Sequence, residues 1–487
     1  MAHRTNADGS VSLLSMPVEV LLQITSNLTT SELGYLRCTC KQIETTLFPS
    51  FSREFFTRRK FMFTEFSLQA LIDISKSRLS SCLSHVMFSL HRPTAFRLYN
   101  AHQVRKIDED AKSNRFIDEC VGEMTLVNTD QDVEMLVEAF GNLSNLETVG
   151  LRDFDSHSRH RDAPNDAWRS YGARTFELNT GTALGVPEQR RPPFYTGDST
   201  LSCEATHLSR VFINILRAVG KAQSRLPRFE VILRKNSLYD HAFHLPKYLE
   251  PTVDPVLAGL RTLFLDLNTA FDSYGVDVNG VPTECSSYFL RRFFSKLHEL
   301  EHLRLNFRDY TTTNDILTWL SQPVTAVPSS PPSGIPFPRS PPPVDLIKLQ
   351  RLDIGMTAID SGVLLALIRK YGVTLRTISF HKISLLEPPL IAPEDRSNLW
   401  AKFFGQLSKL DLKISAINLQ FLSQGPNEMP TARHVTFMDT SHSSIRNWAG
   451  PDMQSGLRDY ITYTSVVGLN GKESSSDSSE SNPDSKC

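Results

Sequence analysis

One unit recurs along most of this chain: an amphipathic helix, a short spacer, and a strand whose leucines are spaced three and then two residues apart. The fullest example runs through Leu257, Leu260, Leu263, Leu265 and Leu267. Residues two apart in a strand share one face, and the leucine three residues upstream adds to the same core. A unit this small cannot bury its apolar side alone, so neighbouring units must stack.

The same pattern predicts helices over residues 67–76, 132–140, 207–219, 286–297, 361–370 and 398–407. It predicts strands over residues 85–90 and around Val149, Leu151, Phe229, Val231, Leu303, Leu305, Leu352, Ile354, Ile378, Phe380, Leu410, Leu412, Ile414, Val435 and Phe437. Because helices and strands alternate, the strands should run parallel, with the helices on the outer side. The predicted fold class is α/β with a parallel sheet, and it resembles an irregular, degenerate leucine-rich-repeat solenoid. A compact α/β domain is the alternative.

Composition limits the classes of function. The chain has 487 residues, too many for one compact core, and its 52 Lys and Arg nearly balance its 53 Asp and Glu. This balance argues against a nucleic-acid or membrane role, because phosphate binding depends on excess basic charge. We find no signal peptide and no apolar run long enough to span a bilayer. Seven scattered cysteines indicate a reducing compartment, the cytoplasm or the nucleus.

The N-terminal segment has a different pattern, that of short amphipathic helices. Met16, Val20, Ile24 and Leu28 recur every four residues and should line one broad face of a first helix, together with Leu21. Pro17 suits the first helical position, where the missing N–H is not needed.

A second helix should begin at Thr29. Thr29 and Glu32 have the spacing of a capping box, and Leu33, Leu36 and Cys40 would form the apolar face that follows. A helical unit of this size cannot bury its own apolar faces, so the sequence predicts that it needs a partner surface.

This segment resembles an F-box. The family pattern is a Leu-Pro start, an acidic residue two positions later, a Leu/Ile-rich helix and a Leu-rich stretch that ends in Cys-Lys. The matching residues fall in register without gaps: Met16, Pro17, Glu19, Val20, Leu21, Leu22, Ile24, Leu28, Leu33, Leu36, Cys40 and Lys41. Met16 replaces the usual Leu, Thr25 and Asn27 stand where larger apolar residues are common, and Ile43 stands where Trp is frequent. Residues 36–79 also resemble the flank of many filamentous-fungal F-box proteins.

The resemblance implies a substrate receptor of a Skp–cullin–F-box ubiquitin ligase, with no catalytic residue and no cofactor of its own. It implies a Skp-type adaptor, a cullin reached through that adaptor, and an unknown protein target on the repeats. The expected adaptor-binding residues are Met16, Pro17, Val20, Leu21, Ile24, Leu28, Leu33 and Leu36. The alternatives are an F-box scaffold or regulator outside the cullin ligase, an α/β enzyme, and a helical hairpin that merely docks on the next domain.

The predicted domains follow from these patterns. Residues 1–11 form a disordered N-terminus, 12–48 the F-box, 49–470 the repeat domain and 471–487 a disordered, acidic, Ser-rich tail. Two long loops are expected inside the repeat domain. Residues 155–200 are polar, and residues 321–345 are too rich in proline for helix or strand.

A search for catalytic and metal motifs gives little. The sequence has no phosphate-binding loop, no nucleophile elbow and no HExxH motif. Cys38, Cys40, Cys82 and His85 have a spacing that zinc sites use. Cys38 and Cys40 would point about 200° apart on one helix, so we predict no metal site there.

Overall fold

A computed structural model describes residues 13–93, 107–156, 161–162, 168–186, 203–268, 287–308, 315–324, 341–387, 397–426, 432–438 and 443–466. The predicted tails, residues 1–11 and 471–487, lie outside these ranges. The chain divides into two compact units, residues 1–305 with 326–348 and residues 306–325 with 349–487.

The first unit alternates helices and strands after three N-terminal helices. Its helices are α1 (Val18–Ser26), α2 (Thr30–Arg37), α3 (Lys41–Phe56), α4 (Glu65–Ser75), α5 (Ile107–Asn128), α6 (Gln131–Asn142), α7 (Ala173–Thr180), α8 (Cys203–Lys221), α9 (Glu250–Ala258) and α10 (Tyr288–Phe294). Its strands are β1 (Arg58–Met62), β2 (His85–Ser89), β3 (Thr148–Arg152), β4 (Arg228–Ile232), β5 (Thr262–Leu267) and β6 (His302–Phe307), of which β6 crosses the division.

Strands β1 to β6 lie side by side in chain order. The pairs from β1 to β5 are parallel, and one row of aligned residues is Val86, Val149, Phe229 and Leu263. All four side chains are buried. The predicted α/β class and parallel sheet are therefore confirmed for these strands.

The helices of the first unit cover the apolar side of its sheet. Phe140 of α6 packs edge-on against Phe88 of β2, and Phe212 of α8 stacks on Phe229 of β4. Helices of successive repeats also pack on one another, α4 on α6, α6 on α8 and α8 on α9. These helices thus shield both their own strand and the helix of the neighbouring repeat.

The second unit contains helices α11 (Asp315–Ser321), α12 (Ser361–Tyr371), α13 (Leu399–Leu407) and α14 (Met453–Tyr463). Its strands are β7 (Arg351–Ile359), β8 (Thr377–Leu386), β9 (Ala416–Gln420), β10 (Ser423–Gly425), β11 (Arg433–Phe437), β12 (Ile445–Ala449) and β13 (Thr464–Val466). The long strand β8 pairs in parallel with β7, β9 and β10. The pairs β9–β12, β10–β11 and β11–β13 are antiparallel, so the prediction of parallel strands fails at the end of the chain.

One predicted strand was misplaced. Leu410 and Leu412 belong to the turn after α13, where the Leu410 N–H donates to the carbonyl of Leu407, and the strand begins only at Ala416. The residues that carry the leucine spacing here are Ile414, Ile417 and Leu419, all buried. The spacing rule itself holds, but it applies seven residues later than predicted.

Two further helices bear on the predicted domains and loops. Helix α3 continues across residue 48 to Phe56, so the chain has no break where the F-box resemblance ends. Helix α7 lies inside the predicted loop 155–200, held between Gly172 and Gly181 in left-handed conformations. Within the described ranges, no helix combines the length and apolarity that a bilayer crossing requires.

Candidate partner-docking site

The first three helices share a small core of their own. It is formed by the buried residues Leu21, Leu33, Ile43, Leu47 and Phe55. Around it pack the partly buried side chains of Leu13, Leu22, Leu28, Leu36, Cys40, Phe51 and Phe56. The buried line of α1 is Leu21 and Thr25, four residues apart. This core fixes which way α1 faces.

Outside this buried line, α1 presents apolar side chains to solvent. Val20 is 41% exposed and Ile24 is 38% exposed, and residues four apart on a helix are neighbours. Leu14, before α1, and Val18 are exposed as well, but Val18 and Val20 point about 200° apart around the helix. We call Val20 and Ile24 the apolar patch. An apolar patch at the start of a small helical unit is a candidate docking surface.

The eight predicted adaptor-binding residues divide into three groups. Leu21 and Leu33 lie in the interior, and Met16, Leu28 and Leu36 are half-buried. Pro17, Val20 and Ile24 are exposed, and Pro17 occupies the N-cap, one position before the first helical residue. The predicted set therefore mixes side chains that build the unit with side chains that remain available.

The predicted capping box is present at α2. The Thr29 hydroxyl accepts from the Glu32 N–H at 3.3 Å, and the Glu32 carboxylate accepts from the Thr29 N–H at 2.9 Å. The backbone hydrogen bond from Thr29, followed by the bond from its hydroxyl, lowers the pKa of Glu32. The turn between α1 and α2 is thus held by reciprocal bonds.

Replacing Thr29 by Ala should loosen α2 selectively. Loss of an N-cap side chain costs about 1 kcal/mol, roughly a fivefold increase in local opening. Amide hydrogen exchange across α2 measures this change. Ser31→Ala, an exposed position in the same turn, is the matched control and should leave exchange unchanged; equal effects from both variants would contradict the role of the cap.

Two arginines attach α3 to its neighbours. The Arg37 guanidinium lies 3.3 Å from the centre of the Phe51 ring and 3.0 Å from the Glu44 carboxylate. Arg78, beyond α4, also pairs with Glu44 and lies 3.9 Å from the centre of the Phe48 ring. The hydrogen bond from Arg78 is the largest cause of the lowered pKa of Glu44. Both α2 and the segment after α4 are therefore joined to α3.

Ionisable side chains also gather around β1 and the carboxyl ends of β2 and β3, a cluster that sequence reasoning missed. Lys60 Nζ donates to the Phe154 carbonyl at 2.6 Å and to the Asp155 carboxylate at 3.0 Å. His91 Nδ1 lies 2.5 Å from the Ser89 hydroxyl. Burial is the largest cause of the lowered pKa values of Lys60 and His91. These residues are too far apart in sequence for any spacing rule to group them.

Asp153, beside this cluster, serves the backbone. Its carboxylate accepts from the N–H groups of Arg234, Lys235 and Asn236 at 2.6–2.8 Å. The bonds of Asp153 thus join the loop after β3 to the loop after β4, and the bonds of Lys60 join β1 to the loop after β3. Together these bonds hold the loops at the carboxyl end of the sheet.

The face of the first unit's sheet that points away from the helices mixes charged and apolar side chains, since one row holds Met87, Gly150, Glu230 and Phe264. Arg152 on β3 pairs with the carboxylate of Glu230 on β4 at 2.5 Å and donates to its carbonyl at 3.0 Å. Gly150 lies beneath these groups, where a Cβ would be 2.5 Å from the sulfur of Met87. Only glycine allows Met87 and Arg152 to lie this close to the strand.

The second unit presents a polar face on β8 and β9. Asn418 donates to the Ser379 hydroxyl at 3.1 Å, and His381 Nδ1 lies 3.3 Å from Gln420 Oε1. The side chains on this face are partly exposed, whereas those of the opposite face are buried. This alternation leaves polar groups available along both strands.

Neither the protein-family models nor the curated proteins compared with this chain match it. Evidence on function therefore comes from the geometry.

The cysteines and histidine with zinc-like spacing take separate positions. Cys38 is the exposed C-cap of α2, and Cys40 packs beside the small core. Cys82 precedes β2, where the His85 Nδ1 lies 2.7 Å from the Ser84 hydroxyl. Among the described residues, no group of three or more His, Cys, Asp or Glu side chains is arranged to hold a metal.

Proposed function

We propose that this chain is a non-catalytic substrate receptor of a Skp–cullin–F-box ubiquitin ligase. The observation that carries the proposal is the apolar patch on α1. The three N-terminal helices form a core with Leu21 and Leu33, yet Val20 and Ile24 stay in solvent at positions that match the F-box pattern. A second polypeptide would bury them.

Burial of the patch would favour association. Complete burial of a Val, Leu or Ile side chain contributes roughly 1.5–3 kcal/mol. Val20 and Ile24 are 41% and 38% exposed, so each would contribute a fraction of that amount. Their sum, with the half-buried side chains of Met16, Leu28 and Leu36 beside them, offsets part of the cost of association.

The target would bind on the repeat units, which we propose form a leucine-rich-repeat-like solenoid. The support is the recurrence of one buried spacing, as in Leu260, Leu263 and Leu265, with parallel strands and successively packed helices. The helix-distal face of β8 and β9 carries partly exposed polar groups that could pair with a protein surface. Ubiquitin transfer would follow from proximity, because the receptor raises the local concentration of a target lysine.

The enzyme alternative has one observation to consider, the cluster of Lys60, His91 and Asp155. The Lys60 ammonium and the Asp155 carboxylate bond to each other, and the Ser89 hydroxyl bonds to His91 within the same turn. These bonds explain the cluster as a structural feature that holds the loops at the carboxyl end of the sheet. We therefore favour the receptor function, which the apolar patch on α1 supports, over the enzyme alternative.

Co-expression with a Skp-type adaptor of fungal origin and a cullin tests the proposal. Capture of both proteins by the tagged full-length chain is the expected result. Capture of the adaptor without the cullin would support the alternative of an F-box scaffold or regulator. Failure to capture the adaptor would overturn both.

A further inference from the structure

A short segment far along the chain grips the N-terminal helices. The Arg161 side chain is only 7% exposed, and its Nε lies 2.5 Å from the Glu54 carboxylate of α3. Its Nη1 donates to the carbonyls of Thr25 and Leu28, the latter at 3.2 Å. Thr25 lies in the last turn of α1, and its carbonyl also accepts from the Leu28 N–H at 3.2 Å. One guanidinium therefore joins the end of α1 to α3.

The next residue, Asp162, makes hydrogen bonds to the start of α2. The Asp162 carboxylate accepts from the N–H of Thr30 at 3.1 Å and from its hydroxyl at 2.7 Å. Thr30 is the first residue of α2, where N–H groups lack intrahelical partners. A cation at the C-terminus of one helix and an anion at the N-terminus of the next each interact favourably with the dipole of the adjacent helix.

We propose that Arg161 and Asp162 act as a clasp that keeps the N-terminal three-helix unit folded when no partner is bound. Five buried side chains make a small core, and a unit of this length normally needs further fixation. The clasp supplies it from residues more than a hundred positions away, through a largely buried guanidinium and a partly buried carboxylate.

The clasp has a consequence for binding that rests on the proposed function. A partner that recognises only the folded unit binds with an apparent affinity equal to its intrinsic affinity multiplied by the fraction of molecules in which the unit is folded. By holding the unit closed, Arg161 and Asp162 would remove that penalty before the adaptor arrives.

Amide hydrogen exchange on the full-length chain tests the clasp directly. In the variant Arg161→Ala with Asp162→Ala, exchange in α1 and α2 should become at least tenfold faster than in the wild type, with α6 and α8 unchanged. Arg169→Ala is the matched control, because Arg169 pairs with Glu177 at an exposed position on the same stretch of chain. Unchanged protection in α1 and α2, or an equal effect of Arg169→Ala, would overturn the proposal.

If the double variant loosens the whole first unit, a milder variant distinguishes loss of the clasp from a general loss of stability. Asp162→Asn removes only the charge beside α2. Selective acceleration of α2 supports the clasp, and no selective effect overturns it.

Adaptor affinity gives the second readout. If both proposals hold, the double variant should bind a Skp-type adaptor more weakly by the factor by which the fraction of molecules with a closed unit falls. If the wild type binds no adaptor, the proposed function fails, whereas the exchange data still decide the clasp.

Discussion

Replacing both Val20 and Ile24 by Asp should abolish adaptor capture while leaving the fold intact. Both side chains are solvent-exposed, so carboxylates there cost the free chain little. In the complex the same carboxylates would be buried against apolar groups without partners, which is strongly unfavourable. We expect at least a hundredfold weaker binding, equivalent to about 2.7 kcal/mol or more. Titration of the adaptor against purified variants measures the change.

The chain offers a close control for this experiment. Val121 and Met124 on α5 are 55% and 56% exposed, so Val121→Asp with Met124→Asp adds the same charge to another exposed helix face. This variant should bind as the wild type does. Retained binding by the Val20 and Ile24 variant, or equal loss in the control, would show that the apolar patch is not the docking surface.

Replacing Gly220 by Ala should destabilise the first unit by roughly 2–4 kcal/mol. Gly220 lies on α8 where α9 crosses closely, and an added Cβ would lie 2.1 Å from the carbonyl oxygen of Thr252. A backbone atom cannot rotate away as a side chain does, so the two helices must separate and lose packing. Thermal and urea denaturation followed by circular dichroism should show a lower midpoint.

Gly122 on α5 supplies the opposite expectation. Nothing lies within 4 Å of a Cβ built at this position. Ala is a better helix former than Gly by up to about 1 kcal/mol, so Gly122→Ala should stabilise the protein slightly. A Gly220→Ala variant as stable as Gly122→Ala would mean that α8 and α9 are not in contact at this point.

Local and periodic features were predictable from the sequence. The spacing of Leu260, Leu263 and Leu265 fixes which strand residues face the core, and alternation with helices fixes the parallel direction. The capping box of Thr29 and Glu32 depends on residues three apart, and it is present. Such features need no knowledge of distant partners.

Features set by distant partners were not predictable. The same spacing reads equally well at Leu410 and at Ile417, and only pairing with β8 selects the second. The antiparallel strands β11 and β12 follow no helix, so the alternation rule does not apply to them. Arg161 lies in a polar segment without periodicity, and its bonds to Thr25 and Glu54 leave no mark in the local sequence.

The candidate docking site lies between these two cases. Periodicity selects α1 and its apolar residues, but Leu21 and Val20 are adjacent and equally apolar in sequence. The contacts of α1 with α3 decide that Leu21 turns inward and Val20 outward. The site could be located from the sequence, whereas its composition required the packing of the small core.

The chain-order pairing of β1 to β6 bears on how the protein is made. When each of these strands emerges from the ribosome, the strand it must pair with has already been synthesised. A nascent chain can therefore add one repeat at a time onto an existing template, and its apolar strands spend little time without cover. Arg161 emerges after α1 to α3, so the N-terminal helices would be secured only once β3 has been translated.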